Sequence, residues 1–253
     1  MPARCGEGIL SKRSMKELTA ILFSGAVVLL AGCATQDVSG ANDPYEATNR
    51  KIFNFNQQLD KAVIKPVAQA YVDVVPEPAR DGVHNFLVNL NLPVTFANDI
   101  LQGEIERTGE TVARFTVNTT IGIGGLLDVA TRIGVPFHTE DFGQTLAVWG
   151  VGEGPYLVLP LLGPKPPRDA VGYAVDSIAF DPLTYIDLRE KFLWEVGRGA
   201  LGVLDLRSRN LESLDAIERQ SVDLYASIRS LYRQDRNNEI HNGKPDIENL
   251  PNL

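Results

Sequence analysis

The sequence predicts an all-α protein built as one domain. Apolar residues recur at intervals of three and four, proline and glycine interrupt these runs often, and strand-like alternation of apolar and polar residues is scarce. No internal repeat is evident. After removal of a predicted export signal, 221 residues remain, which is enough for one domain with a substantial core.

The chain begins with the features of a bacterial lipoprotein signal. Basic residues precede an uncharged run of 14 residues, Leu18 to Ala31, and the run ends in the lipobox Leu30-Ala31-Gly32-Cys33. The run is too short to span a bilayer, which needs about 20 residues. We therefore expect a signal peptide over residues 1–32 and a lipid on Cys33. Met15 is an alternative start, and Ala34 favours an outer-membrane destination.

Composition excludes several classes of function. Without the signal, 20 basic and 30 acidic side chains give a net charge near −10, which disfavours binding to nucleic acid or to anionic lipid. Cys5 is lost with the signal, so no internal disulfide can form. A metal corner at His138, Glu140 and Asp141 is conceivable, but a solvated loop is the favoured interpretation. We expect no metal and no cofactor.

The mature chain divides into a tether, a helical domain and a tail. Residues 33–42 are small and polar after the cysteine, as in a flexible linker. The domain spans residues 43–235, and residues 236–253 are predicted to be disordered. The first predicted helix opens with Asp43 as N-cap and is bent or ended by Pro66. The last is a long amphipathic helix from about Leu204 to Arg233. The predicted helices between them are Pro78 to Asn89, Pro93 to Leu101, Glu104 to about Asn118, Pro167 to Phe180 and Pro182 to about Trp194.

Charge is almost absent from three segments of the domain. Phe86–Asn98 and Phe115–Leu127 have no charged side chain, and Phe142–Pro164 has only Glu153. The third segment contains too many glycines and prolines to form a straight spanning helix. Two interpretations remain open. The segments are either buried core loops of a helical globule, or broken amphipathic pieces that sit in a membrane leaflet.

The sequence has no recognisable catalytic constellation. A lipase would need a Gly-x-Ser-x-Gly nucleophile elbow, and none occurs. Gly122-Ile123-Gly124-Gly125 could be a phosphate-binding loop, but no lysine followed by serine or threonine accompanies it, so a structural turn is favoured. We expect the protein not to be an enzyme.

Several motifs occur at specific spacings between residues 43 and 182. They include Asp43-Pro44-Tyr45-Glu46-Ala47-Thr48-Asn49-Arg50, Phe53-Asn54-Phe55-Asn56, Leu59-Asp60, Lys65-Pro66-Val67-Ala68, Asn85-Phe86, Asn89-Leu90, Leu101-Gln102-Gly103, Arg114-Phe115, Gly124-Gly125-Leu126, Phe142-Gly143-Gln144-Thr145-Leu146, Trp149-Gly150-Val151-Gly152, Gly154-Pro155-Tyr156, Leu159-Pro160 and Gly163-Pro164. Together these motifs resemble the MlaA (VacJ) family of outer-membrane phospholipid-transport lipoproteins. The resemblance covers roughly Asp43 to Pro182 and is densest around Trp149 to Tyr156. One departure is Lys165-Pro166-Pro167 before Arg168-Asp169, where the family usually has a serine-type polar turn.

This resemblance implies both a fold and a role. The family's fold is a single ring-like domain of short, Pro/Gly-broken amphipathic helices around an amphipathic channel, lying in the inner leaflet of the outer membrane. The implied role is removal of mislocalised phospholipid from the outer leaflet and its transfer to a soluble periplasmic carrier, in association with a trimeric porin. The alternative is a structural or assembly lipoprotein that binds porins without transferring lipid.

The resemblance also suggests residues for lipid access and for the channel. Near the start of the first helix these are Phe53, Asn54, Phe55 and Asn56, and the flexible turn beside the channel holds Gly122, Gly124 and Gly125. The third group is Trp149, Gly150, Gly152, Gly154, Pro155 and Tyr156, with the two aromatic side chains expected at a membrane interface. Ordinary packing remains the alternative for each of these residues.

Overall fold

The computed structural model describes residues 42–185 and 191–244. The predicted signal peptide, Cys33, the tether up to residue 41 and residues 245–253 lie outside the described residues. The α-helices are α1 (Glu46–Leu59), α2 (Lys65–Val74), α3 (Glu77–Gln102), α4 (Ile105–Thr120), α5 (Val129–Arg132), α6 (Phe142–Val148), α7 (Pro167–Val175), α8 (Lys191–Arg209), α9 (Leu211–Gln220) and α10 (Leu224–Ile240). A hairpin of β1 (Val158–Leu159) and β2 (Gly163–Pro164) is the only sheet in the described part of the chain.

The first two helices form one continuous helical segment. A π-helical turn, Asp60–Ile64, joins α1 to α2, so the helix does not end near Pro66. Pro66 closely follows the π-helical turn, and a proline, which has no N–H, is a common cause of such an irregularity inside a helix. The expectation for Asp43 is wrong, because the N-cap of α1 is Tyr45 and makes no side-chain cap bond.

Helix α3 continues through Pro93, where the sequence predicts two separate helices. Proline removes one backbone hydrogen bond and costs about 3 kcal/mol in a helix interior. Its neighbours Leu92 and Val94 are both buried, so packing on either side outweighs that cost. The helix ends at Gly103, whose φ of 78° is left-handed and whose N–H bonds to the carbonyls of Asp99 and Ile100.

The predicted long helix from Leu204 to Arg233 is three helices, α8 to α10. The chain turns at Asn210, and Ser221 is extended before Asp223 caps α10 by accepting a hydrogen bond from the Ala226 N–H at 3.2 Å. Helix α10 then runs to Ile240, so a disordered tail from residue 236 is wrong for the described residues up to 244. Of the helix predicted from Pro182 to about Trp194, the described parts are a 3₁₀ turn, Pro182–Thr184, and the start of α8.

A small aromatic core joins α1, the hairpin and α10. Phe53, Tyr156, Val158 and Tyr225 are buried together, and the Phe53 and Tyr225 rings meet edge to face with centroids 5.5 Å apart. In the hairpin, Val158 pairs with Pro164 and Leu159 with Gly163 in an antiparallel register. The described residues 156–161 are thereby fixed against the first helix.

The polarity of the domain is reversed relative to an ordinary globular protein. Among the described residues, 18 polar or charged side chains are buried and only 8 apolar ones, whereas large apolar side chains such as Ile123, Leu161 and Phe192 are more than 60% exposed. The three uncharged segments contribute Phe86, Phe115 and Trp149 to the surface. Leu92, Val94, Tyr156 and Val158 of the same segments are buried, so the segments have one face in the core and another on the surface, and neither interpretation describes them completely.

No helix within residues 42–185 and 191–244 combines the length and the apolar character that crossing a bilayer requires.

Candidate functional site

A cavity of about 790 Å³ lies between α3, α7 and α8. Its size falls in the range of about 300–1,000 Å³ that is typical of small-molecule sites. Apolar and polar side chains alternate along its wall, so the cavity is amphipathic. The lining includes the side chains of Leu87, Asn91, Val94, Glu140, Asp141, Lys165, Asp169, Tyr173, Asp176, Ile178, Asp181, Leu183, Glu195 and Arg198.

Two smaller cavities of about 210 Å³ and 50 Å³ extend this space along one side of α3. The first shares Leu87, Asn91 and Gly202 with the large cavity. The second shares His84 and Val88 with the first. The three cavities therefore adjoin one another and form a run along the same helix face.

Arginines neutralise four of the carboxylates on the cavity wall, Glu140, Asp141, Asp169 and Asp181. Arg236 binds both Asp141 and Asp169, at 2.6 Å and 3.0 Å, and Arg107 binds Glu140 at 2.6 Å. Burial opposes ionisation of Asp141 and Asp169, but the hydrogen bonds and charge of Arg236 outweigh it and lower both pKa values. Arg236 lies in the segment that the sequence assigned to a disordered tail.

Asp176 is the wall carboxylate with the least compensation. It is 8% exposed, and its hydrogen bonds come from neutral donors, the Asn98 amide and the Phe142 N–H, each at 2.9 Å. Burial raises the pKa of Asp176 to about 6, and the charge of Asp141 adds to the effect. This carboxylate is partly protonated near neutral pH.

Two basic side chains line the same cavity. Arg198 on α8 is engaged by Asp181, with a contact of 2.6 Å. Lys165 lies just after β2, and its ammonium sits 5.3 Å from the centre of the Tyr173 ring. The site thus offers carboxylates, a lysine ammonium and apolar side chains within one partly open cavity, and its described lining holds no nucleophile paired with a base.

The predicted access residues of α1 have three different environments. Phe53 is in the aromatic core, whereas Asn54 and Phe55 are exposed. Asn56 donates to the Leu159 carbonyl and accepts from the Leu161 N–H, each at 2.9 Å. These residues line none of the three cavities described here, and Asn56 holds the hairpin.

Asn49, two turns before Asn56, holds the hairpin in the same manner. Its amide donates to the Tyr156 carbonyl at 2.9 Å and accepts from the Val158 N–H at 3.0 Å. It also donates to the carboxylate of Asp43, at 2.8 Å. In the sequence, Asn49 stands out only as part of a family motif. Its spacing of two helical turns from Asn56 is the signal that identifies the two residues as a pair.

Gly122, Gly124 and Gly125 form the predicted turn after α4. Gly125 has a φ of 92°, and a Cβ there would lie 2.5 Å from the side chain of Asn89 on α3. The turn is thus packed closely against α3, and it carries the exposed side chains of Ile121 and Ile123. Its flexibility remains a prediction.

The third group of predicted residues surrounds the hairpin. Trp149 is 53% exposed and donates from its indole to the Leu101 carbonyl at 3.1 Å, and its position at a membrane interface stays a prediction. Tyr156 has no exposed surface, so its predicted interfacial position is wrong, and burial raises the pKa of its hydroxyl to about 12. Gly150 and Gly154 have left-handed backbones, Gly152 is exposed and Pro155 is half-buried.

One polar cluster differs from its predicted environment, and other residues of the site carry no signal in the sequence. The loop with His138, Glu140 and Asp141 is not solvated, because Glu140 is 2% exposed and the imidazole of His138 binds Asp99 at 3.1 Å. No group of three metal-ligating side chains is assembled in the described ranges. The cavity residues Asp176 and Arg198 were not singled out, because nothing local in the sequence marks them.

Comparisons with known proteins agree on one family. The family model described as MlaA lipoprotein matches residues 41–239. The intermembrane phospholipid transport system lipoprotein MlaA of Escherichia coli strain K12 is 38% identical over 221 residues, covering 85% of each chain. An uncharacterised protein of Rickettsia bellii is 39% identical over 194 residues, covering 77% of this chain and 75% of the relative.

A solved structure, described as the structural basis for maintenance of bacterial outer membrane lipid asymmetry, matches with a TM-score of 0.70 at 35% identity. The match covers 78% of this chain and 98% of the other. The all-helical fold and the family motifs therefore lead to the same conclusion: this chain belongs to the MlaA lipoprotein family.

Proposed function

We propose that this chain is the lipid-anchored outer-membrane component of an intermembrane phospholipid transport system. In this role it takes mislocalised phospholipid from the outer leaflet and passes it to a soluble periplasmic carrier, which maintains the lipid asymmetry of the outer membrane. The observation that carries the proposal is the amphipathic cavity of about 790 Å³ inside a domain whose exterior is apolar.

The reversed polarity supports a position within a leaflet. Exposed apolar side chains such as Ile121, Ile123 and Leu161 match the acyl region of a bilayer, and broken helices keep their backbone groups bonded within the protein. The same apolar exterior suits contact with a trimeric porin. A lipid on Cys33, outside the described residues, would deliver the domain to the periplasmic side of the outer membrane.

The cavity supports transfer of a lipid. Charged side chains such as Lys165 and Asp176 suit a headgroup, and Leu87, Val94 and Ile178 suit the first part of the acyl chains. In the proposal the adjoining cavities form the channel of a ring-like domain. Two groups of residues adjust the backbone around this channel. One is Gly122, Gly124 and Gly125, and the other is Gly150, Gly152, Gly154 and Pro155.

The proposal requires no covalent step. The wall carboxylates are bound by arginines or amides, as described above, and transfer of a lipid needs only differential affinity along a path. We therefore propose that the protein is not an enzyme. Purified protein that releases fatty acid from phospholipid vesicles would contradict this point.

Deletion of the gene tests the transport role. We expect phospholipid to accumulate in the outer leaflet, measured by labelling surface-exposed amine headgroups in intact cells. Expression of the wild-type chain should restore the low level, and Cys33→Ala should fail to do so because the protein is mislocalised. Unchanged surface phospholipid together with impaired porin assembly would favour the porin-associated assembly lipoprotein instead.

A further inference from the structure

Lys165 occupies a rigid position at the wall of the large cavity. Its backbone N–H donates to the Leu157 carbonyl at 2.9 Å, and the next residue, Pro166, is fully buried before Pro167 begins α7. Two prolines and a backbone hydrogen bond therefore fix the base of this side chain. Lys165 also stands where the sequence departs from the polar turn usual in the family.

The Lys165 ammonium has no carboxylate partner within 4.0 Å among residues 42–185 and 191–244. It rests on the ring of Tyr173 instead, and both side chains line the cavity. The other basic residue of the wall, Arg198, is paired with Asp181. Lys165 therefore provides the positive charge of this wall that is available to a ligand.

We propose that the Lys165 ammonium binds the phosphate of a phospholipid headgroup in this cavity. This inference rests on the proposed function and adds a residue that recognises the substrate. An ammonium is a compact point charge that donates several strong hydrogen bonds to phosphate oxygens. The Tyr173 ring lies 5.3 Å from the ammonium and also lines the cavity, so a cation–π contact holds the ammonium at the cavity wall.

The charge of the surrounding wall selects among phosphate compounds. Six carboxylates line the cavity, and arginines pair with four of them, Glu140, Asp141, Asp169 and Asp181. Asp176 is bonded by neutral donors and keeps its negative charge uncompensated when it is ionised. Free phosphate carries about −1.5 to −2 charges at pH 7, as a phosphate monoester does, and Asp176 repels it more strongly than a singly charged ligand. The phosphodiester of a lipid carries a single negative charge, and a zwitterionic headgroup adds an ammonium that Asp176 attracts. A phospholipid headgroup is thus the source of phosphate that the wall favours.

A binding experiment with the full-length lipoprotein in detergent micelles tests this inference. Its probes are labelled phosphatidylethanolamine and a diacylglycerol with the same acyl chains, which lacks the phosphate. Lys165→Gln should weaken binding of phosphatidylethanolamine about tenfold and leave binding of the diacylglycerol unchanged. Lys165→Arg should retain most of the affinity, and Lys51→Gln, at an exposed lysine of α1, should match the wild type.

Each failure has a distinct meaning. Equal affinity of Lys165→Gln and the wild type for phosphatidylethanolamine, with thermal unfolding also equal, would overturn the inference and leave the proposed function standing. Displacement of the lipid by millimolar inorganic phosphate would overturn the assignment of the headgroup as the ligand. A wild-type chain that retains neither lipid would contradict the proposed function itself.

Discussion

Gly172 in α7 lies directly against Gly143 in α6, so closely that a Cβ on Gly172 would come within 2.3 Å of the Gly143 nitrogen. The two helices can approach this closely only because neither position carries a side chain. The contact places Asp141 at the start of α6 and Asp169 in α7 near one guanidinium, that of Arg236. The wall of the large cavity therefore depends on a pair of glycines.

Gly172→Ala should destabilise the domain by about 1–3 kcal/mol, because the added methyl group forces the helices apart. Thermal and urea unfolding of the purified protein measure the change. Gly109→Ala in α4 is the matched control, since a Cβ there meets no atom within 4 Å, and it should be neutral or stabilising by up to about 1 kcal/mol. Equal unfolding midpoints for both variants would contradict the close packing.

Asn49→Ala should cost about 3 kcal/mol of unfolding free energy. The substitution removes two bonds to the hairpin and leaves the Tyr156 carbonyl and the Val158 N–H buried without their partner. Asn54→Ala, on the exposed side of the same helix, should stay within about 0.5 kcal/mol of the wild type. If both asparagine variants unfold alike, the hairpin is not held by Asn49.

Arg236→Met should destabilise the protein by about 1–3 kcal/mol, because it removes the guanidinium that joins Asp141 to the buried Asp169 and leaves Arg168 as the remaining cationic partner of Asp169 among the described residues. Arg132→Met, at an exposed arginine, provides the comparison and should have little effect. The readout is the urea midpoint of each variant at neutral pH. A neutral result for Arg236→Met would mean that the end of α10 is dispensable, as the sequence suggests.

Asp176 makes stability depend on pH. Its carboxyl has a pKa of about 6 in the folded protein against an ordinary 3.8, so the folded state holds the proton more tightly than the unfolded state. Below about pH 4 this carboxyl does not change the free energy of unfolding. The free energy of unfolding falls as pH rises from about 4 to 6, and above that range it is lower by about 3 kcal/mol.

Asp176→Asn removes this titration. We expect the unfolding free energy of the variant, relative to wild type, to rise between pH 4 and pH 7.5 and then to level off. Other titrating groups, such as Glu140 and Glu239, are present in both proteins and cancel in the difference. A difference that does not change with pH would show that folding leaves the pKa of Asp176 unchanged.

Local patterns in the sequence predict the helical fold well. The three- and four-residue spacing predicts α4 close to its observed ends, and α7 together with the π-helical turn that continues it to Phe180, whereas the first helical segment begins after Asp43 and continues to Val74. It fails at Pro93 and at Ser221, where the outcome depends on residues distant in the chain. Leu92 and Val94 are buried on either side of Pro93, and Asp223 both caps α10 and binds Arg50 of α1. Tertiary contacts of this kind override local propensity.

The candidate site was harder to predict from the sequence than the fold. The cavity wall combines Glu140, Lys165, Asp176 and Arg198, which come from different elements and form no motif. The loss of charge in three segments correctly indicated unusual surfaces, yet a hydrophobic run reads the same whether it faces a core or a bilayer. Only the burial of Asn98, Thr145 and similar polar residues shows that the polar side faces inward.

Photocrosslinking from position 173 in living cells tests the central claim most directly. Tyr173 lines the large cavity and is 49% exposed, so a benzophenone side chain there can reach its contents. We predict capture of phospholipid at position 173 and not at position 222, where Val222 is fully exposed between two charged helices. Absence of phospholipid at position 173, or capture no greater than at position 222, would contradict a lipid-binding cavity.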